Sequence, residues 1–261
     1  MVEQAEDLTR RFGGVGRLYG PAALRAFQAA HVCVIGIGGV GSWAAEALAR
    51  SAIGQITLID LDMIAESNVN RQIHALGDEF GKAKVSAMAE RIRAINPACL
   101  VTEIEDFVSA DNLEETLGRG FDYVIDAIDH VRVKAAMINW TKRQRIPMIT
   151  VGGAGGQIDP TRIDVIDLAR TIQDPLLSKV RALLRKEYGF TRDQKKKFDV
   201  PAVFSTEPLR YPESGAVCDE APGLAGLNCA GFGSSVCITA TFGFFAAAEV
   251  LKHLANRKAP D

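Results

Sequence analysis

No Cys-X-X-Cys pair occurs in these 261 residues. The five cysteines (Cys33, Cys99, Cys218, Cys229 and Cys237) are scattered and odd in number, which excludes a disulfide scaffold. The same scatter argues against a four-cysteine structural zinc site. A charge excess is also missing. Thirty Lys and Arg face 32 Asp and Glu, for a net charge of −2. This excludes indiscriminate nucleic-acid binding by the whole surface, though not by a local patch. Internal repeats and low-complexity segments are absent. Residues 1–7 are acidic and carry no apolar stretch, so they do not read as a secretion signal. The expectation is a cytoplasmic protein with reduced thiols.

What is present is an ample apolar supply, 48% of the chain, enough to build a core. The expectation is one domain over residues 1–261, with a nucleotide-binding part to about 151 and a substrate-side elaboration over 152–261. One uncharged run, Asn228 to Ala248, is 21 residues long and nominally spans a bilayer. Its glycines, serines and threonines favour a buried C-terminal helix over a membrane span.

The first 150 residues alternate strand and helix signals. His31 to Ile35, Gln55 to Asp60, Leu100 to Phe107, Asp122 to Asp126 and Ile146 to Val151 read as strands. Ser42 to Ser51, Phe80 to Ile95 and Val131 to Arg145 read as helices. Such alternation predicts an α/β fold: a Rossmann-like, doubly wound, mainly parallel sheet with an elaborated C-terminal third. Beyond Val151, a glycine crossing (Gly152 to Gly156) leads to strands around Asp159-Pro160. Helix then loop follows over Lys179 to Lys197, and a further strand over Val203 to Leu209. Tyr211 to Gly226 reads as a mobile loop.

Gly36-Ile-Gly-Gly-Val-Gly41 follows a strand and opens a helix. Such a turn brings backbone N–H groups and a helix N-terminus to a phosphate. Asp60 ends the next strand, 24 residues after Gly36, where a ribose hydroxyl is bound in dinucleotide folds. This motif alone is compatible with an NAD-dependent oxidoreductase. Arg71 and Lys84 change the balance, because a dinucleotide's two phosphates are already served by the turn. Two added cations suggest a triphosphate. Asp126-Ala-Ile-Asp129 ends a strand at the ligand-binding edge, and one of its carboxylates can hold Mg²⁺.

The turn, Asp60-Leu-Asp62, Asn68-Val-Asn-Arg-Gln72, Lys84 and Asp126-Ala-Ile-Asp129 together resemble the ThiF/MoeB superfamily, relatives of ubiquitin-activating enzymes. The resemblance implies adenylation of a carboxylate with Mg-ATP. It implies ATP contacts at Gly36, Gly38, Gly39, Gly41, Asp60, Asp62, Asn70, Arg71, Lys84 and Asp126. Asp60 would contact ribose, Arg71 and Lys84 phosphates, and Asp129 the magnesium. Arg17, in Arg11-Phe-Gly-Gly-Val-Gly-Arg17, matches the arginine that reaches into the partner subunit's site, which implies a homodimer. The catalytic set is then Arg17, Arg71, Lys84 and Asp129.

The zinc-binding cysteine pairs of many sulfur-carrier activators are missing. Instead, Arg17-Leu-Tyr-Gly20, Asn70 to Ala75, Val151 to Pro160, Thr171 to Pro175, Val203 to Glu207 and Thr239 to Gly243 resemble a narrower branch, the tRNA threonylcarbamoyladenosine dehydratases. That branch implies ATP-driven cyclisation of the modified adenosine with loss of water. It also implies partners: tRNA and a cysteine desulfurase or sulfur-acceptor system. The alternative function is adenylation of a ubiquitin-like sulfur carrier.

Lys179, Arg181, Arg185, Lys186, Arg192, Lys195, Lys196 and Lys197 face only Glu187 and Asp193 over the same stretch. In so balanced a chain, that run is a candidate tRNA surface. Cys229 is the candidate for a covalent relay, but ring closure within one base needs no transfer thiol, so it is expected to be dispensable. Cys33 and Cys237 read as core residues and His74 as structural.

Overall fold

The computed structural model describes residues 8–193, 195–211 and 232–257. Its centre is a seven-stranded sheet: β1 (His31–Ile35), β2 (Gln55–Ile59), β3 (Leu100–Ile104), β4 (Tyr123–Asp126), β5 (Met148–Val151), β6 (Ile163–Asp167) and β7 (Pro201–Ser205). The order is β3-β2-β1-β4-β5-β7-β6. All pairings are parallel except β6 with β7. The last two strands therefore extend the nucleotide-binding sheet itself.

Eight helices accompany the sheet among the described residues: α1 (Leu8–Tyr19), α2 (Pro21–Ala29), α3 (Gly41–Arg50), α4 (Lys84–Ile95), α5 (Leu113–Leu117), α6 (Val131–Gln144), α7 (Pro175–Glu187) and α8 (Val236–Ala255). Successive strand residues point to opposite faces. Val32 and Val34 pack with α2, α3, α4 and α8, whereas Cys33 and Ile35 pack with α5, α6 and α7. The outcome is a three-layer α/β/α fold, as the alternating pattern predicts.

Helix α8 is long and apolar enough to cross a membrane by length and composition. Here Ile238, Phe242, Ala246, Val250 and Leu254 are buried in the core, against α3, α2 and the sheet. Cys237 is exposed on its first turn rather than in the core, because the buried stripe begins at Ile238. Cys33 is buried.

Several expected boundaries shift. The helix expected from Phe80 starts at Lys84, since Gly81 has a φ of 84° and turns the chain first. The third strand stops at Ile104 rather than Phe107. The expected pair of strands around Asp159-Pro160 is one strand, β6. The backbone N–H groups of Ile158 and Asp159 donate instead to the Glu207 carboxylate. The last strand runs over Pro201–Ser205, not Val203 to Leu209. The loop expected over Tyr211 to Gly226, and Cys229 with it, falls outside the described residues except for Tyr211 itself.

Candidate nucleotide and acyl-substrate site

The chain winds from β1 outward through β2 to β3, then returns to lay β4 on the other side of β1. That reversal opens a crevice at the carboxyl ends of β1 and β4. A pocket of about 390 Å³ lies there. Gly36, Gly38 and Gly39 from the turn after β1, Asp60 and Asp62 after β2, and Ala127 to Asp129 after β4 line it. The glycine crossing after β5 closes its far side.

The turn is built by steric demand. Gly36 has a φ of 85°, a left-handed conformation costly to other residues. A Cβ on Gly41 would overlap the Gly36 carbonyl oxygen. Gly41 therefore shapes the turn from beneath rather than facing the pocket. Helix α3 starts at Gly41; the N–H groups of Ser42 and Ala44 donate back to the Gly38 and Val40 carbonyls, so the helix offers the crevice the positive end of its dipole.

Asp60 caps this geometry. Its Oδ2 accepts from the N–H of Ile37 at 2.6 Å and its Oδ1 from that of Asp62 at 2.8 Å. Burial raises its pKa above the usual carboxylate range, with the nearby Lys84 charge opposing. Lys84 is buried, and its ammonium lies 2.6 Å from the Asp62 carboxylate, which is largely exposed. Asp62 thus holds the Lys84 cation at the pocket rim. Arg71 lies against Gly39, and its guanidinium donates to the Ser67 carbonyl and to Asn70 Oδ1. Asn70 in turn donates to Ser234 at the head of α8. Asn70 does not line the pocket; it orients Arg71.

Asp129 lines the pocket and makes no ion pair or hydrogen bond among the described residues. No cluster of three or more potential metal-ligating side chains exists among them either. One free carboxylate suits Mg²⁺, which keeps its waters and takes most other ligands from phosphates.

Asp126 requires a correction, since the sequence reading had it contact ATP. Its side chain is 0% exposed and lies beneath the pocket floor. Its carboxylate pairs with the equally buried Lys134 at 2.9 Å and accepts from the Thr150 hydroxyl at 2.7 Å. Lys134 also donates to the Ile128 carbonyl at 2.8 Å. The pair ties down the loop that presents Asp129. A buried charge without its partner is costly, which explains why both are present together.

Arg17 sits exposed in the last turn of α1 and does not line the pocket. The basic segment is split. Lys179 and Arg181 belong to the first half of α7, whose start borders the pocket. Lys195 to Lys197 precede β7 at the opposite edge of the sheet, a helix length of roughly 20 Å away. Lys186, Arg192 and these three lysines are exposed, whereas Arg185 stacks over Phe198 and donates to the Thr191 carbonyl. Arg185 is therefore occupied structurally.

Sequence reasoning missed Asp174 and Gln157. Asp174 is buried, caps α7 through the N–H of Leu177 at 2.9 Å, and accepts from Gly153 at 3.0 Å. Burial raises its pKa. Asp174-Pro175 was a legible cap followed by proline at the first helical position. Gln157 donates to the Gly153 carbonyl and lines the same wall.

His74 is buried with both ring nitrogens unpartnered. Burial, with Lys84 and Arg91 nearby, lowers its pKa to about 4. Below pH 6.5 the unfolded chain protonates this imidazole while the folded chain keeps it neutral until about pH 4. Stability should therefore fall as pH drops through that window. Urea unfolding at pH 7 and pH 5 should show a loss smaller in His74→Leu than in wild type, by up to about 2 kcal/mol. Equal losses would contradict it.

Comparison with known proteins gives the same outline. The chain is 52% identical over 259 residues to a tRNA threonylcarbamoyladenosine dehydratase of Haemophilus influenzae, covering 99% of this chain and 98% of that one. It is 56% identical over 255 residues to the protein of that name from Escherichia coli, covering 96% and 95%. It is similar to the crystal structure of the E. coli dehydratase TcdA in complex with ATP, with a TM-score of 0.86 and 53% identity. That match covers 97% of this chain and 96% of the other. The model of the ThiF family matches residues 14–261. With a match of that extent on a fold whose glycine turn, cations and free carboxylate converge on one crevice, the chain belongs to the ThiF family.

Proposed function

We propose that this chain is an ATP-dependent enzyme that cyclises N6-threonylcarbamoyladenosine in tRNA with loss of water. The observation that carries the reading is its near-full-length likeness to two dehydratases of that name, one also crystallised with ATP. ATP supplies the activating group. An oxygen of the threonyl carboxylate attacks the α-phosphorus and pyrophosphate leaves. An atom of the same modified base then closes on the acyl carbon, AMP departs with the carboxylate oxygen, and the base loses one proton.

The residues divide this work. The Gly36 to Gly41 turn receives the phosphates, Asp60 holds the ribose, and Arg71 and Lys84 neutralise phosphate charge. Asp129 would hold Mg²⁺, which would supply charge neutralisation at the phosphates. The glycine crossing, pinned by Asp174 and Gln157, forms the wall on the acyl side. Lys84 must exchange Asp62 for phosphate, which a short shift of an exposed carboxylate permits. The enzyme works as a cytoplasmic homodimer. Cys229 has no required part, because oriented intramolecular attack already reaches effective molarities of roughly 10⁵ M or more. No feature of the site favours the sulfur-carrier alternative.

The deciding experiment is mass analysis of nucleosides from tRNA incubated with enzyme and Mg-ATP. Loss of one water from the modified adenosine, with one AMP formed per event, is expected. Unchanged nucleosides alongside adenylation of a Gly-Gly-ended carrier protein would favour the alternative.

The basic segment adds a second test. Lys195, Lys196 and Lys197 replaced together by Ala should flatten the salt dependence of tRNA affinity by up to about three contacts, roughly 0.7 to 0.9 in slope each. ATP affinity should stay constant. An unchanged slope would return these lysines to an ordinary solvated surface.

A further inference from the structure

The nucleotide pocket does not end at the α7 terminus. A second hollow of about 430 Å³ continues from it and shares Asp174, Pro175 and Leu209 with its lining. One wall is the first two turns of α7, with Ser178 and Arg181; the other is the segment ending at Tyr211. Its volume lies in the range of sites for small ligands, roughly 300–1,000 Å³.

The walls are held in place. The Arg210 N–H donates to the Gly156 carbonyl at 2.8 Å, and Glu207 accepts from Ile158 and Asp159. The segment carrying Tyr211 is thereby fastened to the glycine crossing. The Tyr211 ring contacts Phe232, a pocket-lining residue, at 5.1 Å between centroids, yet the tyrosine is 74% exposed. Arg181 is half-buried and donates to the Thr171 hydroxyl, and it has no carboxylate within ion-pair distance among the described residues. A cation with spare donors and an exposed ring thus face one hollow at the mouth of the site.

We propose that this hollow seats the nucleotide flanking the modified adenosine, its phosphate on Arg181 and its base against Tyr211. The inference rests on the tRNA reading above. A base whose side chain must reach the α-phosphate has to leave its stack and enter the crevice. Its neighbour on the strand is then carried to the mouth, where a cation for phosphate and an aromatic face for a base are the groups single-stranded RNA requires. This places the first backbone contact on Arg181 beside the pocket rather than on the distant lysines before β7.

The test uses an anticodon stem-loop RNA carrying threonylcarbamoyladenosine, with binding measured in the presence of a non-hydrolysable ATP analogue. Tyr211→Ala should weaken RNA binding about tenfold, and Tyr211→Trp should retain it. Arg181→Gln should lower the salt slope by about 0.7, the value for one single-strand phosphate, while Arg181→Lys keeps it. The free modified nucleoside, used as competitor, has no flanking nucleotide. Its affinity should stay within twofold in every variant, as should that of ATP. RNA affinity and slope unchanged in Tyr211→Ala and Arg181→Gln would overturn the proposal. So would equal weakening of RNA, nucleoside and ATP, the mark of a merely structural role. The wild-type nucleoside mass analysis reports separately on the dehydratase reading. Absence of water loss there defeats that reading, whereas the binding series judges the hollow.

Discussion

Asp129→Ala is expected to lower turnover by at least about a thousandfold with the fold intact. The carboxylate lies at the β4 end of the crevice, lines the pocket and is engaged by no other side chain among the described residues. Truncating it breaks no internal bond, so thermal stability should stay near wild type. The loss would fall on the phosphoryl step, for which Asp129 would hold a Mg²⁺ that would supply charge neutralisation at the phosphates. A factor of a thousand corresponds to about 4 kcal/mol of transition-state stabilisation. The measurements are single-turnover nucleoside analysis and a melting curve. Near-normal turnover at ordinary Mg²⁺ would remove Asp129 from the metal role. A collapsed melting temperature would make the effect structural. Asp60→Ala should differ, weakening ATP affinity before maximal rate.

Activity should reappear when two inactive variants are mixed. Arg17→Ala and Lys84→Ala subunits, co-assembled, are expected to form hybrid dimers with one complete site. The reason is positional. Arg17 is exposed at the end of α1 and absent from the pocket's lining, whereas Lys84 is buried within it. Beside Arg17, Leu18 is 79% exposed. An arginine supplied by the partner would stabilise charge developing on the phosphates, as arginine fingers do. Statistical mixing should return up to about a quarter of wild-type activity per site, from subunit combinatorics, and neither variant alone should exceed a few percent. Verified heterodimers without recovery would place Arg17 outside the partner's site.

The central layer of the fold was legible because buried parallel strands write themselves as short apolar runs bounded by glycine. His31 to Ile35 and Gln55 to Ile59 needed no further information. The N-terminal helices were not legible. Helix α1 contains Gly13, Gly14 and Gly16, and glycine lowers helix propensity enough to hide the signal. Packing of Phe12 and, in α2, Phe27 offsets that penalty, a tertiary effect no local window contains.

The site shows the same division. The glycine turn declares itself because its conformation demands particular residues. Asp126 and Asp129 look equivalent in the sequence, two carboxylates at one strand end. Only the packing of α6 separates them, by driving Lys134 beneath the sheet edge onto the first and leaving the second free. Gln157 was invisible because its role depends on the path of the glycine crossing. Asp174 carried a visible capping signal, but its approach to Gly153 is made across 21 residues.

The sheet order has a last consequence, for self-association. Strands β3 and β6 are its two rims, each with a row of backbone groups open to another strand. Both rims carry exposed carboxylates: Glu105 and Asp106 just beyond β3 on one side and Asp164 on the other, whereas Glu103 is paired with Arg93 and Asp167 accepts from backbone N–H groups. Two copies meeting rim to rim would oppose like charges at close range. That repulsion is a guard against runaway strand addition. It is lost where those carboxylates are exchanged for neutral side chains, so such replacements would turn two quiet borders into adhesive ones.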